Sequence, residues 1–120
     1  MNVKEKTYKA LKSGFLETSV SYFYPQSFNH LPAISYYEIS QKPFIFADDE
    51  EYLLESQIAV SIWGISSEVL KEMGDMASET MKKAGFTKVE TKESYDKDNR
   101  IYEQTHMFKI IFNKEGINNG

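Results

Sequence analysis

Residues 52–85 read YLLESQIAVSIWGISSEVLKEMGDMASETMKKAG, and within this stretch the hydrophobic period changes from two to about 3.6. In the first part Tyr52, Leu54, Ile58, Val60 and Ile62 share one parity while Glu55, Gln57 and Ser61 share the other. That alternation predicts a long antiparallel strand with one buried and one wet face, closed by Trp63 and Gly64. In the second part Ser66 or Ser67 caps a helix running to Ala84. Glu68 and Glu72 lie near its positive N-terminal end, Lys82 and Lys83 near its C-terminal end, and Gly85 stands at the C-cap. The helix is expected to bury Val69, Met73, Met76, Thr80 and Ala84, with Leu70, Ala77 and Met81 alongside.

Working outward, residues 2–17 place Val3, Leu11 and Phe15, flanked by Tyr8 and Ala10, at the spacing of an amphipathic helix whose last turn Gly14 weakens. Residues 20–24 are β-branched and aromatic and stop at Pro25, a short strand, and residues 26–31 are a loop. Pro32 opens a second strand over residues 33–40, ended by Lys42 and Pro43. Residues 44–51 read as a loop with an apolar start and four consecutive acidic residues. On the far side of the central helix, residues 86–93 and 101–112 form a hairpin around a polar turn at 95–100, with Phe108, Ile110 and Phe112 on one side. The order predicts one α+β domain over residues 1–112: a mainly antiparallel sheet of four to five strands, two helices packed on one face, and a flexible tail at 113–120.

A chain of 120 residues is the usual size for one core. Its net charge of -4 and single arginine, Arg100, argue against a dedicated nucleic-acid binder. With no cysteine there are no disulfides and no thiolate chemistry. The N-terminal MNVKEKTYKALKSGF has no continuous apolar run, and no stretch approaches the roughly 20 apolar residues of a membrane span, so a soluble protein made in the cytoplasm is expected. Eight Tyr, eight Phe and one Trp exceed what a core of this size hides. They belong either in a protein interface or at the core edge with their hydroxyls in water.

The residues that would carry catalysis are missing as a constellation, so neither enzyme activity nor a cofactor is expected. His30 and His106 are distant in sequence and have no partner at metal-ligand spacing; a lone strand histidine is more often structural. Residues 96–100, DKDNR, begin like a calcium loop, but Ile101 occupies the place of its glycine and Met107 that of its bidentate glutamate. Asp48, Asp49, Glu50 and Glu51 are read as a solvated loop, with a weak cation site or a partner-facing acidic surface as alternatives.

Six segments in order, VSYFYP, LPAISYYEI, PFIFADDEEY, YLLESQIAVSIWG, a Ser-capped helix finishing KKAGF, and a hairpin ending EQTHMFKIIF, resemble the tail-terminator and tail-completion proteins of siphophages and prophages. The match covers about three-quarters of the chain and rests on order, spacing and the phrase FADDEEY running into a strand. What it implies is a structural, non-enzymatic subunit of the virion tail, present in the host cytoplasm before assembly. Such subunits form a ring, typically a hexamer, on the tail tube, and contact the tube protein and a head connector or head-completion protein. It further implies that Phe44 and Phe46 enter a neighbour's groove and that Asp48, Asp49, Glu50 and Glu51, leading to Tyr52, face the lumen or a basic partner. The alternatives are a head-closure or neck protein of the same pathway, and a small ligand-binding α+β domain with aromatics lining a pocket between sheet and helix.

Overall fold

A computed structural model describes residues 1–47 and 50–113, with the side chains of residues 45–52 outside the described set. The elements run α1 (Val3–Gly14), β1 (Val20–Tyr22), β2 (Ala33–Ala47), β3 (Glu50–Gly64), α2 (Ser67–Lys83), β4 (Thr87–Asp96) and β5 (Ile101–Asn113). The five strands form one sheet in the order β1-β2-β3-β5-β4. β1 lies parallel to β2, and every other neighbouring pair is antiparallel. The fold is the expected α+β arrangement, with both helices on one face of the sheet.

The core lies between that face and the helices. Ile34 and Tyr36 of β2, Ile58, Val60 and Ile62 of β3, and Phe108, Ile110 and Phe112 of β5 meet Val3, Ala10, Leu11 and Phe15 from α1 and its C-cap, and Leu70, Met73, Ala77 and Met81 from α2. Asn2 caps α1 by accepting the Glu5 amide, and Ser66 caps α2 by accepting the Val69 amide, so the cap is the first of the two serines. Gly85, at a φ of 100°, takes the left-handed conformation that ends α2.

Three expectations are corrected. The buried stripe of α2 is Leu70, Met73, Gly74, Ala77 and Met81, whereas Val69 and Met76 are exposed. Gly74 lies within this stripe and lets α2 approach β5 so closely that a Cβ there would overlap Gln104 Oε1 and lie 2.7 Å from His106 Nε2. Secondly, the described residues of the segment 44–51 are strand and not loop. Residues 44–47 finish β2 and Glu50 and Glu51 begin β3, paired as Ala47 with Glu50 and Phe46 with Glu51. Pro43 does not end β2, because β1 pairs with it only as far as Tyr36 and the outer edge beyond needs no amide. Asp48 and Asp49 lie outside the described residues, as do 114–120 of the expected tail; Asn113 itself pairs with Leu53. Thirdly, the polar parity of β3 is not wet throughout, since Glu55 and Ser61 are buried.

His106 is buried in a polar chain on the helix side of the sheet. Its Nε2 meets Gln104 Oε1 at 2.7 Å, its Nδ1 meets Thr91 Oγ1 at 3.3 Å, and Gln104 Nε2 donates to Glu93 at 3.3 Å. This network suits a neutral imidazole that donates from Nε2 and accepts at Nδ1. Burial, reinforced by the Lys88 ammonium and only partly opposed by Asp75, holds the pKa down at about 4. The unfolded chain takes up this proton near the ordinary value of 6.5, well before the folded chain does. The neutral ring therefore contributes stability at pH 7 that is lost as pH falls from about 6.5 to about 4.

Two measurements test this packing. Gly74→Ala gains up to about 1 kcal/mol of helix propensity but overlaps the His106 and Gln104 side chains, and is expected to destabilise by roughly 1–3 kcal/mol in chemical denaturation. An unchanged or raised stability would refute the close approach. The His106 ring resonances should titrate with a midpoint of about 4. Between pH 7 and pH 4.5 the parent should also lose roughly 2 kcal/mol more stability than His106→Gln. A midpoint at or above 6 would show the ring to be solvated.

Candidate functional site

The face of the sheet opposite the helices carries the residues that alternate with the core: Ser35 and Tyr37 on β2, Ser61 and Trp63 on β3, Glu103 and Thr105 on β5. Chain geometry brings more aromatics onto it. Phe23 follows β1 with a φ of 72°, left-handed for a bulky residue, while its amide still donates to the Tyr36 carbonyl. Its ring lies on the face opposite the core-packed Tyr22, as alternation along the strand requires, and stacks on Tyr37 at 5.3 Å between centroids and 11° between planes. The chain continues over the same face, so Tyr24 lies 6.1 Å from Trp63 and Phe28 meets the indole edge-to-face at 5.5 Å. It returns to β2 through a cis Leu31–Pro32 bond.

The indole is fixed by its own hydrogen bond, Nε1 to Ser35 Oγ at 2.9 Å. Glu103 faces it directly across the β3–β5 ladder. The Glu103 carboxylate accepts from Ser61 Oγ at 2.8 Å and from Thr105 Oγ1 at 3.2 Å, so the hydroxyl of the buried Ser61 is satisfied. Two clefts flank this pair. One, of about 390 Å³, is lined by Phe28, Trp63, Ser94, Asp96, Asn99, Ile101 and Glu103. The other, of about 330 Å³, is lined by Phe23, Tyr24, Tyr37, Ser61, Trp63 and Glu103. Both lie on the helix-free face, so the aromatics here do not line a space between sheet and helices.

The residues singled out from sequence lie elsewhere. Phe44 is exposed near the end of β2, beside Leu53 and Leu54 of β3 and so level with Phe112 and Asn113 at the end of β5. The backbones of Phe46, Glu50, Glu51 and Tyr52 carry the β2–β3 hairpin past that point, and their side chains lie outside the described residues. Strands of 15 residues span about 50 Å, which accounts for the principal extents of 53 × 26 × 22 Å. The radius of gyration, 15.5 Å, exceeds the roughly 14 Å of a compact chain of this length. His30 is exposed in the loop before β2, and His106 points to the helix side, away from both clefts.

The sequence points to residues 44–51, as a loop, and not to this face. The signal for the face was present in Phe23, Tyr24 and Phe28, three aromatics around Pro25 in a segment read as strand end and loop. Among the described residues no group of three or more His, Asp or Glu side chains is placed to hold a metal ion. None of the helices described is long and apolar enough to cross a membrane. No family model matches the chain, and no curated protein matches it at a significant level.

Proposed function

We propose that this chain is a structural subunit of a phage or prophage tail, a tail-terminator or tail-completion protein that caps the tail tube as a ring and joins tail to head. The observation that supports the reading best is the presence of two unlike surfaces on one small subunit. The end of the β2–β3 hairpin runs past β5 with Phe44 exposed at its base, and a separate aromatic face lies on the sheet. A closed ring needs heterologous interfaces, in which one patch of a subunit meets a different patch of the next. A hairpin end and a face left open provide such a pair, and aromatics are the side chains enriched at interface centres. The resemblance in segment order supplies the biological setting: a hexameric ring between tube protein and head connector, in the virion tail.

In this reading the acidic run keeps its role. Glu50 and Glu51 stand at the start of β3 next to Asp48 and Asp49, and four carboxylates facing a channel repel DNA in transit.

Mixing the purified chain with assembled tail tubes and imaging the ends by negative stain is expected to show a cap at one end only. Phe44→Ala is expected to fold normally and to lower the occupancy of capped ends by at least about tenfold, as for loss of an interface anchor. Failure to bind tubes would reject the terminator role, and binding to head connectors alone would replace it with head closure. Neutralising the acidic run to Asn and Gln is expected to leave capping intact and slow DNA delivery; unchanged delivery removes the lumenal role.

A further inference from the structure

The clefts beside Trp63 combine a flat aromatic wall with an anionic floor, which is a specific chemistry. Glu103 offers one carboxylate oxygen, Oε2, to both Ser61 and Thr105, and among the described residues no donor meets Oε1. No lysine or arginine among those residues pairs with Glu103 or with Asp96 at the rim. Asp96 is itself organised by its turn: Oδ1 accepts the Asp98 and Asn99 amides at 3.0 and 3.2 Å, and Oδ2 accepts Asn99 Nδ2 at 2.8 Å. Those bonds hold its carboxyl below the usual range and keep it ionised. Two fixed carboxylates thus border a cleft of about 390 Å³ whose apolar walls are Trp63, Phe28 and Ile101.

We infer that this cleft binds an arginine side chain presented by a partner protein, the guanidinium lying against the Trp63 indole and donating to Glu103. A cation over an aromatic face is attracted by the ring quadrupole, and tryptophan is the strongest such face. Arginine suits the site better than lysine, because a planar, weakly hydrated fork both stacks on the ring and meets a carboxylate with two donors. The site is also organised in advance. Ser35 fixes the indole and two hydroxyls fix the carboxylate, so little side-chain freedom remains to be lost on binding. The second cleft, sharing Trp63 and Glu103, continues the apolar wall through Tyr24, Phe23 and Tyr37 and receives the residues flanking the arginine.

That the arginine comes from a partner protein rests on the protein-binding reading above. The affinity for guanidinium does not, and is measured on the isolated chain. Trp63 is the single tryptophan and so reports on its own cleft. Titration with N-acetyl-arginine methylamide at constant ionic strength is expected to change its fluorescence saturably, with a dissociation constant on the order of 1 mM. Glu103→Gln, which retains an acceptor for Ser61 and Thr105, should weaken binding about tenfold. N-acetyl-lysine methylamide should bind at least about threefold more weakly than the arginine probe. Trp63→Leu, followed by amide shifts at Ser61 and Thr105, should lose the response and carries the test if Glu103→Gln does not fold. A change no greater than that from sodium chloride, equal affinity of the parent and Glu103→Gln, or equal affinity for the lysine probe would each overturn the assignment. Each can occur whether or not the chain caps tail tubes.

Discussion

The register of β3 is the constraint on which everything else depends. Ile58, Val60 and Ile62 are fully buried beneath the two helices, and because side chains alternate, the same register sends Ser61 and Trp63 to the opposite face. A slip by one residue would exchange the two sets and place an indole and a hydroxyl in the core. Both neighbours enforce the choice. β2 sets Ile34 against Ile62 and Tyr36 against Val60, while β5 sets Phe108 against Ile58 and His106 against Val60. The aromatic face is therefore not decoration added to a fold. It follows from burying three β-branched residues on the other side.

Polar groups on the helix side survive because each is paired. Thr7, fully buried in α1, donates to the Val3 carbonyl at 2.8 Å, and His106 sits within the chain that runs from Thr91 through Gln104 to Glu93. Among the described residues no buried side-chain nitrogen or oxygen lacks a hydrogen-bond partner. Leaving one unpaired would cost about 1–3 kcal/mol. Gly74 belongs to this accounting. Its missing side chain makes room for the imidazole and amide under α2, exchanging helix propensity for a close helix–sheet approach.

Element types were legible because local chemistry and tertiary packing agreed. The alternation of residues 52–64, the serine cap and glycine stop around α2, and the closing hairpin all carry signals that packing reinforces. The failures fall where a non-local contact decides. Pro43 reads as a strand terminator until its strand is seen to be an edge. Val69 and Met76 read as core until Gly74 is seen to lie in the buried stripe against β5. The open face was harder still, because it is assembled from β2, β3, β5 and the loop after β1. A period of two assigns Phe23, Tyr37 and Trp63 to one side, but nothing in it brings the loop residues Tyr24 and Phe28 back over Trp63.

How the sheet ends are finished narrows the surfaces through which the chain can associate. β4 is an edge strand with all ten residues exposed, and it carries Lys88, Glu90, Lys92 and Glu93, charges that oppose pairing with another strand. The outer edge of β2 is interrupted by register shifts after Glu38, Pro43 and Ile45, and the proline lacks a donor there. Neither edge invites a ladder with a neighbour. Exposed apolar side chains are spread over the loops, helices and strands, among them Leu16, Ile65 and Met76, and on the helix-free face Phe23, Tyr24 and Phe28 are gathered around Trp63 and Tyr37. Faces bind through side chains, whose identity and charge can discriminate between partners, whereas an open edge would accept any strand. The proposed tail subunit, in which the chain stays apart until the right surface is presented, calls for the first kind of contact.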